Sequence, residues 1–106
     1  MSEYKDFEDM EVWQDAQDLT VEVYEDFAGV RDFSFCDQIK RAVVSITNNI
    51  AEGSERTTPT DFSRFLDIAK GSCGEVRSMY RLIFPRKRVE GLLRLGLAPL
   101  RRCYNG

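Results

Sequence analysis

Histidine is missing from the 106 residues altogether. Its absence removes the commonest general base and the commonest transition-metal ligand, and with it the Glu-x-x-His pairs on which a di-iron bundle depends. Cysteine is sparse as well. Cys36, Cys73 and Cys103 are odd in number and far apart, a pattern of reduced, partly buried thiols rather than a disulfide framework. There is no Cys-x-x-Cys pair for zinc or redox chemistry, no imidazole to activate a cysteine nucleophile and no Gly-x-x-x-x-Gly-Lys phosphate loop. Apolar runs never exceed three residues, far short of the roughly 18 that suggest a membrane span. The acidic start Met-Ser-Glu-Tyr-Lys-Asp-Phe-Glu-Asp has neither the basic nor the apolar region of a secretory signal. These absences predict a cytoplasmic protein without catalytic residues, cofactor, metal or membrane.

What is present suits a single domain over residues 1–106, with 42% apolar and 11% aromatic residues for one modest core. The net charge of −3 conceals an asymmetry: residues 1–84 carry 9 basic and 17 acidic side chains, whereas 85–106 carry 6 and 1. Such polarity marks either an interaction tail or a last helix whose basic face complements an acidic bundle.

Apolar residues recur at helical spacing. Phe7, Met10, Trp13, Ala16, Leu19, Val23 and Phe27 mark a first helix over about 7–28, with Gly29 as its cap. Asp32 and Ser34 are both N-cap candidates for a second helix over about 35–52, whose stripe is Cys36, Ile39, Val43, Ile46 and Ile50 and whose expected stop is Gly53. Thr58-Pro59-Thr60-Asp61 supplies an N-cap, a proline at the first position and a first-turn carboxylate for a third helix over about 59–84. Within 86–104, Gly91, Gly96 and Pro99 interrupt a weaker stripe, which predicts a short or irregular fourth helix. No strand-like alternation or repeat appears. The class is all-α, an antiparallel up-and-down four-helix bundle.

Two stretches carry residues that local propensity does not explain. Ser45, Thr47, Asn48 and Asn49 are poor helix formers inside the second helix, and such a conflict calls for a tertiary reason. Ser45, Asn49 and Glu52 form a polar strip on the face of Gln38, and Glu52 or Glu75 is expected to pair with Arg41 or Arg56 to fix register. In the third helix, Gly71 and Gly74 each cost about 1 kcal/mol relative to Ala. Close approach of another helix over Gly71-Ser72-Cys73-Gly74 is the expected compensation. Ser45, Asn49, Glu52, Gly53, Gly71, Ser72 and Glu75 are therefore the candidate packing and assembly residues. For nucleic acid, whose affinity comes mainly from phosphate neutralisation, the candidate contacts are Lys40, Arg41, Arg56, Arg86, Lys87 and Arg88, weighed against an ordinary solvated basic face.

Phe-Glu-Asp-Met-Glu-Val-Trp at 7–13, Gln38 through Ile46 followed by Asn49-Ile50-Ala51-Glu52-Gly53, and Phe65 through Ser72 with Glu75 resemble the bacterial 23S rRNA intervening-sequence proteins. The similarity spans roughly residues 7–84, and Asn-Ile-Ala-Glu-Gly is its most specific piece. It implies a four-helix bundle that assembles into a homo-oligomer, typically a pentameric ring. It also implies kinship with the accessory protein of diversity-generating retroelements, whose basic ring surface binds nucleic acid. Thr47 stands where that family often has proline, and beyond Ile83 the family's fourth-helix pattern is lost. Together these readings describe a non-enzymatic interaction scaffold with RNA or a ribonucleoprotein as partner. The alternative is a protein-binding module for a basic partner such as a polymerase or ribosomal protein. An enzyme would need Glu52, Arg56 and Glu75 in one pocket.

Overall fold

Two of the helix starts in this chain are set by side chains that satisfy the first free N–H groups. Thr58 Oγ1 accepts from the Asp61 N–H at 3.1 Å, with Pro59 at the first helical position, and Asp32 Oδ1 accepts from the Phe35 N–H at 3.1 Å. The computed structural model describes residues 6–96. Within them a 3-10 turn, Phe7–Asp9, precedes α1 (Glu11–Asp26), α2 (Phe33–Ser54), α3 (Pro59–Ile83) and the short α4 (Glu90–Arg94).

Four of the expected boundaries shift. The first helix does not begin at Phe7, because Met10 is extended (φ −81°, ψ 127°) and offers no capping oxygen. The break is bridged by the Gln14 side-chain amide, which donates to the Glu8 carbonyl at 2.7 Å. At the other end α1 stops at Asp26, and Gly29 is not left-handed and so is not its cap. The N–H groups of Phe27 and Ala28 close that end on the carbonyls of Val23 and Glu25, at 3.0 and 3.4 Å. Of the two N-cap candidates for α2, Asp32 serves and Ser34 lies inside the helix. Gly53 is no stop either: it is buried within α2, which continues to Ser54. Thr47 leaves α2 unbroken, its hydroxyl donating to the Val44 carbonyl at 2.8 Å.

Contacts between helices fix an up-down-up-down order. Gly53 lies against Phe62 and Phe65, Ser45 meets Ser72 and Gln38 meets Glu75, so α2 and α3 run antiparallel. The rings of Phe27 and Phe35 lie 6.0 Å apart and Lys40 Nζ sits 4.9 Å from the Tyr24 ring, which pairs the end of α1 with the start of α2. The Tyr80 hydroxyl donates to Asp26 Oδ2 at 2.8 Å, which makes α3 parallel to α1. α4 then returns along α1. Glu22 accepts the N–H groups of Glu90 and Gly91 at 3.0 and 2.9 Å, and Arg94 reaches Asp18 at 3.2 Å.

The core runs along this arrangement through Leu19, Ile39, Ile46, Ile50, Leu66 and Val76, and α4 adds Val89, Leu92 and Leu95. Phe27, Tyr80 and Phe84 close one end, with Phe27 edge-on to Tyr80 at 5.0 Å and to Phe84 at 5.3 Å. Phe7 and Trp13 stack edge-on at 5.1 Å beside the N-terminal turn.

Burial pushes the Tyr80 hydroxyl well above the ordinary tyrosine range, and the hydrogen bond to Asp26 and that carboxylate's charge push it further. A raised folded-state pKa means a contribution that is intact below about pH 10 and lost progressively above it, as the unfolded chain's tyrosine ionises while the folded one does not. Urea unfolding followed by circular dichroism is expected to show stability falling above about pH 10. Tyr80→Phe should cost about 1–2 kcal/mol at neutral pH and flatten that alkaline decline. An identical alkaline slope in the variant would remove Tyr80 as its source.

Candidate functional site

The polar strip of α2 faces α3. Asn49 Nδ2 donates to the Ser45 carbonyl at 2.7 Å and to Ser45 Oγ at 3.0 Å, and Ser72 Oγ donates to the same Ser45 Oγ at 3.0 Å. Small hydroxyls let the two helices approach while keeping each polar atom bonded. Gly53 completes this seam. A Cβ there would lie 2.8 Å from Phe65 Cβ and 2.9 Å from a Phe62 ring carbon, so the first two turns of α3 pack directly on the α2 backbone. Ser45 thus has a tertiary reason within the chain, whereas Thr47 and Asn49 bond only within α2 and Asn48 is exposed.

The rest of the candidate set stays on the surface. Glu52 pairs with Arg56, just past the end of α2, at 3.0 Å, an exposed ion pair that does not reach α3. Glu75 accepts from Gln38 Nε2 at 3.2 Å and so takes neither expected arginine. Gly71 and Gly74 have nothing within 4 Å of where a Cβ would stand. No helix of the described chain therefore closes on Gly71 or Gly74 themselves, contrary to expectation, although Ser72 and Cys73 between them meet Ser45 and Leu95. Glu52 and Arg56 lie at the Phe65 end of the bundle, whereas Glu75 is ten residues, about 15 Å, further along α3. The three are not gathered in one pocket.

The basic candidates are dispersed too. Lys40 and Arg41 flank an open groove on the outer face of α2 with Tyr24, Val44, Asn48 and Asn49. Arg56 lies at the opposite end of α2, its guanidinium 4.7 Å from the Phe65 ring centre. Lys87 pairs with Asp26 at 3.6 Å and Arg88 with Glu90 at 2.8 Å. Arg86 is exposed beside them.

Sequence reading missed Lys70, Arg77 and Arg81, which share the side of α3 next to α4. Lys70 and Arg77 border a small cleft of about 40 Å³ floored by Cys73, Leu92 and Leu95. Burial pushes the Cys73 thiol up, with the Arg77 charge opposing. The spacing of seven and four residues was the available signal. Both described cysteines, Cys36 and Cys73, are free thiols; Cys103, like Arg101 and Arg102, lies outside the described residues. Among the described residues no group of three or more histidine, cysteine, aspartate or glutamate side chains could hold a metal ion, and no helix is long and apolar enough to cross a membrane.

An all-helical bundle closed by a serine-asparagine seam between its two longest helices, with charged outer faces, is the class of protein defined here. The model of the 23S rRNA-intervening sequence protein family matches residues 8–90, and the chain belongs to that family. No curated protein matches it by sequence.

Proposed function

We propose that this chain is a non-enzymatic, cytoplasmic, homo-oligomeric scaffold whose partner is RNA or a ribonucleoprotein. The observation that carries the assembly is the outer face of α3. This 25-residue helix leaves Ile68 and Leu82 52% and 70% exposed and places Gly71 between them with open space above it. An interior glycine that no helix of its own chain approaches suits the backbone of a second copy, and the family resemblance implies a ring. Ser45, Asn49, Gly53 and Ser72 set the α2–α3 register that presents this face, while Gly71 and Glu75 lie on it and Glu52 lies on α2 at the edge of the seam.

Solution mass, measured by light scattering before and after nuclease treatment, tests both halves. The expected result is a multiple of the 12.2 kDa chain, with bound nucleic acid lost on digestion. Ile68→Asp combined with Leu82→Asp is expected to give a helical monomer, because two desolvated charges at an apolar contact are strongly unfavourable. A monomeric parent chain would overturn the assembly. The rival, a module for a basic protein partner, requires an oligomer whose mass and absorbance nuclease leaves unchanged.

A further inference from the structure

We infer that the α3–α4 side of the bundle is a binding surface for the phosphodiester backbone of single-stranded RNA, carried by Lys70, Arg77 and Arg81. It rests on the RNA reading proposed above and goes beyond it by placing the contact on residues outside the basic clusters of the sequence.

Many cations of the folded chain already have partners. α4 and the turn before it lie on the acidic side of α1, where Lys87 is taken by Asp26 and Arg94 by Asp18, while Arg88 pairs with Glu90 of α4 itself. Glu22 is occupied by the first N–H groups of α4. Arg56 is held by Glu52 and the Phe65 ring, and Lys40 by the Tyr24 ring. Lys70, Arg77 and Arg81 are exposed and in none of the ion pairs among the described residues; Arg31, Arg41 and Arg86 are also exposed and outside those pairs, but only Lys70, Arg77 and Arg81 share one side of a helix. Arg81 donates to the carbonyls of Phe84 and Lys87, at 3.5 and 3.0 Å, which fixes its guanidinium without neutralising it.

Geometry points the same way. Spacings of seven and four residues set the three charges in a line, about 10 and 6 Å apart along one side of α3. Between Lys70 and Arg77, Gly74 has no neighbour within 4 Å of where a Cβ would stand. There the cleft of about 40 Å³ opens, room for about two or three water-sized atoms, on the scale of the oxygens of one phosphate. Arginine presents a planar fork of donors that matches phosphate. A protein partner would instead need a buried aromatic or aliphatic anchor, yet Leu92 and Leu95 beside the cleft are already buried. The exposed Ile68 and Leu82 project from the opposite side of α3. A charged polymer needs only the line of cations.

Fluorescence polarisation of a labelled, mixed-sequence 20-nucleotide RNA, titrated with the full chain over a salt series, provides the test. The parent is expected to bind with affinity falling steeply as salt rises. Lys70→Gln/Arg77→Gln/Arg81→Gln should bind at least tenfold more weakly, with the salt slope flatter by about 2, since each phosphate neutralised on a single strand contributes about 0.7. Arg31→Gln/Arg64→Gln, which also removes surface cations, should bind like the parent. Because Arg81 braces the 84–87 turn, Lys70→Gln/Arg77→Gln is measured too, with a slope change of about 1.4 expected. The triple exchange Lys70→Arg/Arg77→Lys/Arg81→Lys, which keeps all three charges, should keep the salt slope. If Lys40→Gln/Arg41→Gln abolishes binding while the α3 variants bind normally, the surface is misplaced and the RNA reading survives. No binding by the parent at low salt overturns both. Stronger, α3-dependent binding of a poly-glutamate peptide overturns the inference in favour of an acidic protein.

Discussion

Gly91→Ala is expected to release α4 from the bundle. A Cβ at this position would lie 2.7 Å from Leu19 Cβ, 2.8 Å from Leu19 Cα and 3.0 Å from Glu22 Oε1. One of those atoms belongs to the α1 backbone, which no side-chain rotation can move aside. In an exposed helix the same change would gain about 1 kcal/mol; here overpacking should reverse the sign and cost about 2–3 kcal/mol. A five-residue helix relieves such a clash by leaving, and its departure surrenders both N–H bonds to Glu22 and uncovers Val89, Leu92 and Leu95. Cys73 reports the event, because its thiol packs against the Leu95 carbonyl at 3.8 Å. In a Cys103→Ser background, reaction of Cys73 with an aromatic disulfide reagent should accelerate at least tenfold while buried Cys36 stays protected. Equal Cys73 rates in parent and variant would show that α4 tolerates the methyl group.

Phe27→Ala should be the most damaging single truncation. Phe27 is 1% exposed and lies at the centre of the aromatic end, in edge-on contact with Tyr80 and Phe84 and 6.0 Å from Phe35. Removing a buried phenyl ring costs about 3–5 kcal/mol when neighbours collapse only partly, and edge-on pairs add about 0.5–1.5 kcal/mol each beyond area. Against a total stability of about 5–15 kcal/mol, a loss of that order brings the chain near unfolding. Urea midpoints give the measurement, with Phe27→Leu expected to lose less than half as much. A Phe27→Ala midpoint within experimental error of the parent's would mean that the aromatic end contributes little.

Much of this architecture was legible in the residues because it is local. The Thr58-Pro59-Asp61 start of α3 and the apolar stripes of α1 to α3 follow from spacing and capping alone, and the structure follows them. What sequence left open depends on pairs far apart in the chain. Gly53 reads locally as a stop, yet its lack of a side chain serves Phe62 and Phe65. Ser45 looks like a defect until Ser72 is placed opposite it. Glu22 reads as one more solvated carboxylate, and only the fold sets it at the start of α4. Clustered cations point to contacts at Arg86–Arg88, whereas folding spends two of those three on carboxylates and leaves Lys70, Arg77 and Arg81, aligned on one side of α3, without such partners.

The clasp between Glu22 and α4 spans 68 and 69 residues of chain, while α2 and α3 are joined by four residues, 55–58. Closing the long loop is entropically the more demanding step, and its reward comes only after α1 has a surface to offer. Loop length therefore favours an order of folding in which the short-linked α1–α2 and α2–α3 pairs form before α4 arrives. The same order in reverse makes α4 the first unit to open in the native state. Transient opening there bares the Cys73 thiol and returns Asp18, Glu22 and Asp26 to solvent, so the electrostatic character of that flank differs between the closed and open forms of one folded molecule.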